Sequence, residues 1–235
     1  MKKLVTLMGL MGMISSSLAH AFWEGNFLMG LAAGYEWRRG NIEVELRDPV
    51  FPFFSYGQPI HDNGWTWGLL TGYQERCNRW LWGIEAKVDW DSVDKNHTTL
   101  IRTVDGPLGE INVNLHRGAT IGLSWRLGYE VAPFFLPYIR LGVENAKDRL
   151  NIDTVMTGFA EVQGVKRSFH FWSGAGLEFP ITYLMGLSFR TEYAYHSKGK
   201  NIFINTTESD GTTFVFAKIN PSSHTLMGSL VWNFV

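Results

Sequence analysis

Apolar residues in this chain recur at every second position, in eight separate segments, and this constrains the fold more than any other feature. In segment 27–38, Phe27, Met29, Leu31, Ala33, Tyr35 and Trp37 share one face. Leu28, Gly30, Ala32, Gly34, Glu36 and Arg38 share the other. Period two is the signature of a β-strand, whose successive side chains point to opposite sides of a sheet. The alternation returns in residues 65–76, 80–90, 118–129, 138–144, 169–179, 185–195 and 225–234, with Gly228 an exception on its apolar face.

The chemistry of the two faces separates a membrane barrel from a soluble sandwich. A soluble barrel buries its apolar face and shows charge to water. Here the apolar faces carry no Asp, Glu, Lys or Arg, and the opposite faces are rich in glycine, serine and alanine. Small residues with a few charges suit the cramped interior of an eight-stranded barrel, which side chains fill. Strands of about 8–12 residues cross a bilayer when tilted, and an even number closes without an edge in lipid. The expected fold is all-β: an eight-stranded antiparallel up-and-down transmembrane β-barrel with four long external loops and short periplasmic turns.

The inward faces hold Arg38, Arg76, Lys87, Arg126, Arg140 and Arg190 against Glu36, Glu85, Asp89, Glu144, Glu178 and Glu192, six charges of each sign. A desolvated charge without a partner costs several kcal/mol, so a dry lumen is expected to pair them. Arginine partners keep carboxylates ionised rather than ready to donate protons, which argues against catalytic acids here. With the strands placed alternately up and down, Trp37, Trp65, Trp90, Phe169 and Tyr195 fall at one end of the apolar faces. Phe27, Tyr73, Trp80, Tyr129, Phe179 and Phe234 fall at the other. Amphipathic rings collect at the two interfaces of a bilayer, so these are read as two aromatic girdles.

Loop lengths set the orientation. The connections near residues 39–64, 91–116, 145–168 and 196–223 are long, whereas those near 76–79, 130–136 and 180–183 are short. Long loops face outward and short turns face the periplasm in barrels of this kind. Segments 98–104 and 111–115 flank Asp105-Gly106-Pro107, and segments 202–205 and 212–218 flank Ser209-Asp210-Gly211; both read as hairpins above the membrane. The first loop carries an apolar, proline-interrupted cluster including Phe51, Phe53 and Phe54, a candidate interaction site. It is open whether that cluster covers the barrel mouth, dips into the headgroups or binds a partner.

The first 21 residues read as a cleaved secretory signal: Lys2 and Lys3, an uncharged stretch from Leu4 to Ile14, and Ala19-His20-Ala21 as an A-x-A site. The barrel domain is then 22–235. A net charge of -1 excludes a nucleic-acid binder working through a basic face. The single cysteine, Cys77, excludes a disulfide framework within the chain and a cysteine-clustered zinc site. No metal-ligand spacing appears, and no cofactor is expected.

On its residues the chain resembles the small outer-membrane β-barrel proteins of Gram-negative bacteria, similar to the membrane domain of outer-membrane protein A. The run His170-Phe171-Trp172-Ser173-Gly174-Ala175-Gly176-Leu177-Glu178-Phe179, followed by Leu187 to Tyr195 with its Glu192-Tyr193-Ala194-Tyr195, resembles the family's penultimate hairpin. Pro137-Tyr138 entering a strand with Gly142 is also family-like. The resemblance implies the bacterial outer membrane as location, with lipid and lipopolysaccharide as surroundings and the barrel-assembly machinery as a partner in biogenesis. Two departures stand out: Val235 follows Phe234 where the family usually ends on an aromatic, and no peptidoglycan-binding domain is expected after the eighth strand.

Three functions fit this reading. The first is a non-enzymatic barrel with a structural or surface-interaction role, its loops meeting an external ligand or host surface. The second is a narrow pore or small-molecule conduit. The third is a lipid A-modifying hydrolase using His196-Ser197, which neighbouring-residue geometry disfavours because adjacent strand residues face opposite ways.

Overall fold

Each of the eight alternating segments becomes a strand of one continuous antiparallel sheet. The structure, a computed structural model, describes residues 23–47, 54–92, 96–103, 106–154, 162–181, 184, 186–198, 202–207, 214–219 and 221–234. Its strands are β1 (Trp23–Arg47), β2 (Phe54–Cys77), β3 (Trp80–Asp91), β4 (Asn96–Thr103), β5 (Gly106–Tyr129), β6 (Leu136–Thr154), β7 (Val162–Pro180), β8 (Leu187–His196), β9 (Ile202–Thr207), β10 (Phe214–Ile219) and β11 (Ser222–Phe234). Around the barrel the order is β1-β2-β3-β5-β6-β7-β8-β11, and β11 pairs back onto β1 from Phe27↔Phe234 to Arg39↔Ser222. That ladder closes the sheet and leaves no edge in the membrane.

The apolar faces point outward. Phe171 is 74% exposed, Trp65 67% and Leu31 64%, and comparable side chains ring the barrel. A soluble surface does not tolerate so large an apolar band, which is the face a bilayer solvates. Aromatic side chains border it at both ends. On the side of the short turns, Phe27 meets Tyr73 at 5.2 Å between ring centroids, and Trp80 meets Tyr129 at 4.9 Å. Phe234 pairs with Phe27 in the closing ladder, and Phe179 lies half-buried against Phe135. At the other end Tyr35 lies between Trp37 and Trp65, Trp90 stacks on Trp67 at 4.6 Å, and Phe169 and Tyr195 stand exposed.

The strands run far beyond the alternating segments. β1 has 25 residues and pairs with β2 as far as Leu46↔Phe54, so most of the first long loop is strand. β6 and β7 likewise continue to Ile152↔Val162. Above the membrane the apolar side changes: Ile42, Ile60 and Ile219 are buried while Glu43 and Lys218 on the other face meet water, so the lipid-facing alternation ends although the backbone ladder continues. Pro59 fits within β2 because β3 joins β2 only from Thr66↔Asp91 downward, leaving that side of β2 without a ladder to interrupt among the described residues. Both expected external hairpins form: β4 pairs with the upper part of β5, and β9 with β10, which itself adds onto β1. Two raised sheets result, β2-β1-β10-β9 and β4-β5-β6-β7. Phe51 and Phe53 lie outside the described residues, as do residues 1–21 and Val235; Phe54 begins β2.

Short turns close the opposite end. Cys77 pairs with Trp80 across a two-residue turn in which Asn78 takes a φ of 55°, as such a tight hairpin requires. Inside the barrel, close approach fixes a glycine at position 142. A Cβ there would lie 2.6 Å from the carbonyl oxygen of Leu123 and 2.5 Å from the indole Nε1 of Trp172. Glycine opposite the large Trp172 ring lets the aromatic lie flat across the neighbouring strand. Gly142→Ala is expected to lower stability by about 1–3 kcal/mol through overpacking. Gly57→Ala, whose nearest neighbour would be 3.9 Å away, should change it by about 0.5 kcal/mol or less. Urea titration of the folded barrel in micelles, read as the loss of the compact unheated gel form, measures both.

Candidate functional site

The lumen concentrates the chemistry of this chain. The inward faces of the eight strands bring charged side chains from distant parts of the sequence within a few ångströms, in two layers.

The lower layer, nearer the short turns, consists of Arg126 of β5, Arg140 of β6, Arg190 of β8 and the carboxylates Glu85, Glu178 and Glu192. Arg126 and Arg140 sit directly opposite each other in the ladder, an arrangement that repels unless acids bridge it. Glu85 supplies that bridge. Its carboxylate lies 3.6 Å from Arg126, 3.2 Å from Arg140 and 2.9 Å from Arg190, and Glu85 and Arg126 are fully buried. Glu178 is shared by Arg126 and Arg190, while Arg140 holds Glu192 at 3.1 Å and donates to the Ser124 hydroxyl at 2.8 Å. Tyr138 faces the Arg126 guanidinium at 4.1 Å, and Arg126 also donates to Gln74. Three cations and three carboxylates thus fill this cross-section.

Trp172 separates the layers. Lys87 stands 4.5 Å from its ring and Arg140 4.8 Å, with His196 stacked 5.9 Å away. Above it, Lys87 pairs with Asp89 at 2.8 Å and Glu144 at 3.4 Å, and Glu144 also meets His196 Nδ1 at 2.7 Å. Arg38 holds Asp91 at 2.9 Å and Glu36 at 3.2 Å; Arg117 donates to Asp148 at 2.8 Å. Asp148 also accepts from the Ser168 hydroxyl at 3.2 Å. That hydroxyl lies 2.7 Å from His170 Nε2, while His170 Nδ1 lies 3.0 Å from the Ser197 carbonyl. A carbonyl only accepts, so Nδ1 carries a proton there.

The sequence-derived set and the enclosed set differ in membership. Arg76 belongs to the lumen face of β2 but stands at the rim, 44% exposed, paired with Glu130 at 2.6 Å. It lies one residue from the turn, below the last part of the barrel that side chains fill. Arg117 takes the opposite course. Strict alternation would turn it outward, but an irregularity in β5 between Arg117 and Thr120 brings it inside. Asp62, Asp91 and Asp148 extend the inward parity of β2, β3 and β6 past the ends of the apolar segments, so a reading limited to those segments omits them. Balance therefore holds in the lower layer, whereas the upper one carries more carboxylates than cations among the described side chains.

His196 and Ser197 point to opposite sides. His196 is buried against Glu144, whereas the Ser197 hydroxyl accepts a hydrogen bond from the Phe171 backbone N–H at 3.1 Å. Among the described residues no group of His, Cys, Asp or Glu has the arrangement to hold a metal ion.

Residues 5–234 match the outer membrane protein beta-barrel domain family. No curated protein sequence matches the chain. Solved structures similar to it include Neisserial surface protein A, 13% identical, with 86% of this chain and 99% of that chain covered and a TM-score of 0.38. The outer membrane protease OmpT from Escherichia coli is 9% identical over 89% of this chain and 97% of that chain, with a TM-score of 0.49. The attachment invasion locus protein Ail of Yersinia pestis, in complex with the heparin analogue sucrose octasulfate, is 11% identical over 88% of this chain and 99% of that chain, with a TM-score of 0.38. The chain belongs to the outer membrane protein beta-barrel domain family and is a bacterial outer-membrane protein.

Proposed function

We propose that this chain is a non-conducting, non-enzymatic barrel that acts through what it raises above the outer membrane. The observation that carries this reading is the lower lumen layer. Its three arginines and three glutamates are buried and mutually paired across the lumen. An ion entering there would have to break pairs whose members have no water to turn to, at a cost of several kcal/mol. The barrel then serves as a rigid support for the two raised sheets, and surface interaction falls to those sheets and the loops between their strands. In biogenesis the assembly machinery is the expected partner, with Phe234 supplying the aromatic at the end of the last strand.

Three measurements test this reading. In planar bilayers the pure protein should give no stable single-channel steps; reproducible steps from the wild-type chain would overturn the closed-lumen account. Glu85→Gln should leave three arginines sharing one fewer carboxylate, lowering stability by about 3–5 kcal/mol in a urea titration. Finally, cells expressing the protein should show an unchanged lipid A mass spectrum, and His196→Ala should change nothing further.

A further inference from the structure

The two ends of the lumen differ in their access to water. At the short-turn end the Arg76 side chain is 44% exposed. At the other end Asp62, Arg38 and Asp148 top the charged layers, yet they are 2%, 1% and 1% exposed. Something above them keeps water out. One inward step higher, charge gives way to aliphatic residues on both raised sheets. Asp62 is succeeded by Ile60 on β2, Arg117 by Leu115 on β5 and Asp148 by Leu150 on β6.

The register extends these apolar faces upward. On β2-β1-β10-β9, Ile42, Val44 and Leu46 of β1 lie opposite Ile219, Ala217 and Val215 of β10. Ile42, Ile60 and Ile219 are buried, while Glu43 and Lys218 of the other face meet water. On β4-β5-β6-β7, Leu115 and Val113 of β5 share the parity of buried Arg117 and lie opposite Leu150 and Ile152 of β6. The alternate residue Arg149 is exposed. Both raised sheets thus turn an aliphatic face toward the barrel axis, the arrangement of a soluble two-sheet protein and the reverse of the lipid-facing part below.

The hydrogen bonding breaks where such a change of architecture requires it. Among the described residues, β2 above Thr66 pairs only with β1 and β4 only with β5; β7 above Phe171 ladders only with β6, and β9 only with β10. Cα atoms of β7 and β9 come within 8 Å, yet the two strands form no ladder. Four strands separate the β2/β4 break from the β7/β9 break in either direction, so the breaks lie on opposite sides of the ring. A round ring of eight holds its walls at a distance that arginine, tyrosine and tryptophan fill below. Shorter aliphatic side chains meet only when two sheets approach to about 10 Å, and flattening a ring opens it at two opposite seams.

We infer that the two raised sheets pack face to face as an external β-sandwich whose own apolar core roofs the lumen. The chain is a barrel in the membrane and a sandwich above it. Burial of the aliphatic faces holds the roof together where the backbone ladder is broken. A partner outside then meets the polar outer positions and the strand ends, because the apolar positions are taken up by the core. The inference does not rest on the lower charged layer: a conducting barrel could carry this roof, and a closed lower layer could lie beneath an open mouth.

The test labels single cysteines in the intact barrel in micelles, on a Cys77→Ser background, with a membrane-impermeant maleimide. Val215→Cys and Val113→Cys, one on each inner face, should react at least about tenfold more slowly than the outward Glu43→Cys and Arg149→Cys. Val113→Asp and Leu150→Asp, on the sheet facing Val215, should each raise the rate at Val215→Cys toward that at Glu43→Cys. Heat-shifted gel mobility identifies the variants whose membrane barrel stays folded, and only these are compared. Equal rates at inner and outer positions overturn the inference, since the mouth is then open. A slow rate at Val215→Cys that neither aspartate changes also overturns it, because its cover is then not the facing sheet.

Discussion

A strand in lipid has no water to satisfy its peptide groups, and everything else in this barrel depends on the ladder that removes the problem. β11 pairs with β1 over thirteen consecutive registers, so the membrane part of the sheet has no first or last strand. Closing a sheet at eight strands leaves an interior only as wide as the side chains that line it. Those side chains cannot be apolar throughout without making the strands featureless on both faces. Charge inside is tolerable only where every charge finds another. Closure, narrowness and ion pairing form one chain of consequences.

Much of this was legible in the sequence because the bilayer imposes a single sign on each face. Eight apolar faces free of charge located the strands, their count and their antiparallel closure. Legibility failed where the lipid stops. Residues 42–46 alternate in the opposite sense, with Ile42, Val44 and Leu46 against Glu43 and Glu45, so with residues 54–64 they form a hairpin that the lipid-facing pattern does not mark. The same boundary hid Asp91 and Asp148, inward residues just past the last lipid-facing position. Arg117 was hidden by a different cause, a local irregularity that reverses parity and that no spacing rule detects. Arg76 was misplaced because a strand's inward face continues to the rim, where there is no longer an interior.

The large inward aromatics also follow from the pattern in retrospect. Tyr138 and Trp172 each lie opposite a glycine, Gly176 and Gly142, in the β6–β7 ladder. The glycine makes room for the ring, and the ring offers its face to cations that have more donors than the carboxylates can take: Arg126 on Tyr138, Lys87 and Arg140 on Trp172. A glycine-rich inward face is therefore not an empty one. It marks where the neighbouring strand will lay something flat.

Alternation normally lets the two faces of a barrel strand vary independently, because a lipid-facing and a lumen-facing side chain share no atoms. At Gly142 the fit is set from the lumen side. Its missing Cβ leaves the Trp172 indole room against the backbone on the inner side, while the lipid-facing Leu141 and Val143 flank it outside. Trp172 in turn separates the balanced lower layer from the acid-rich upper one through its contacts with Arg140 and Lys87.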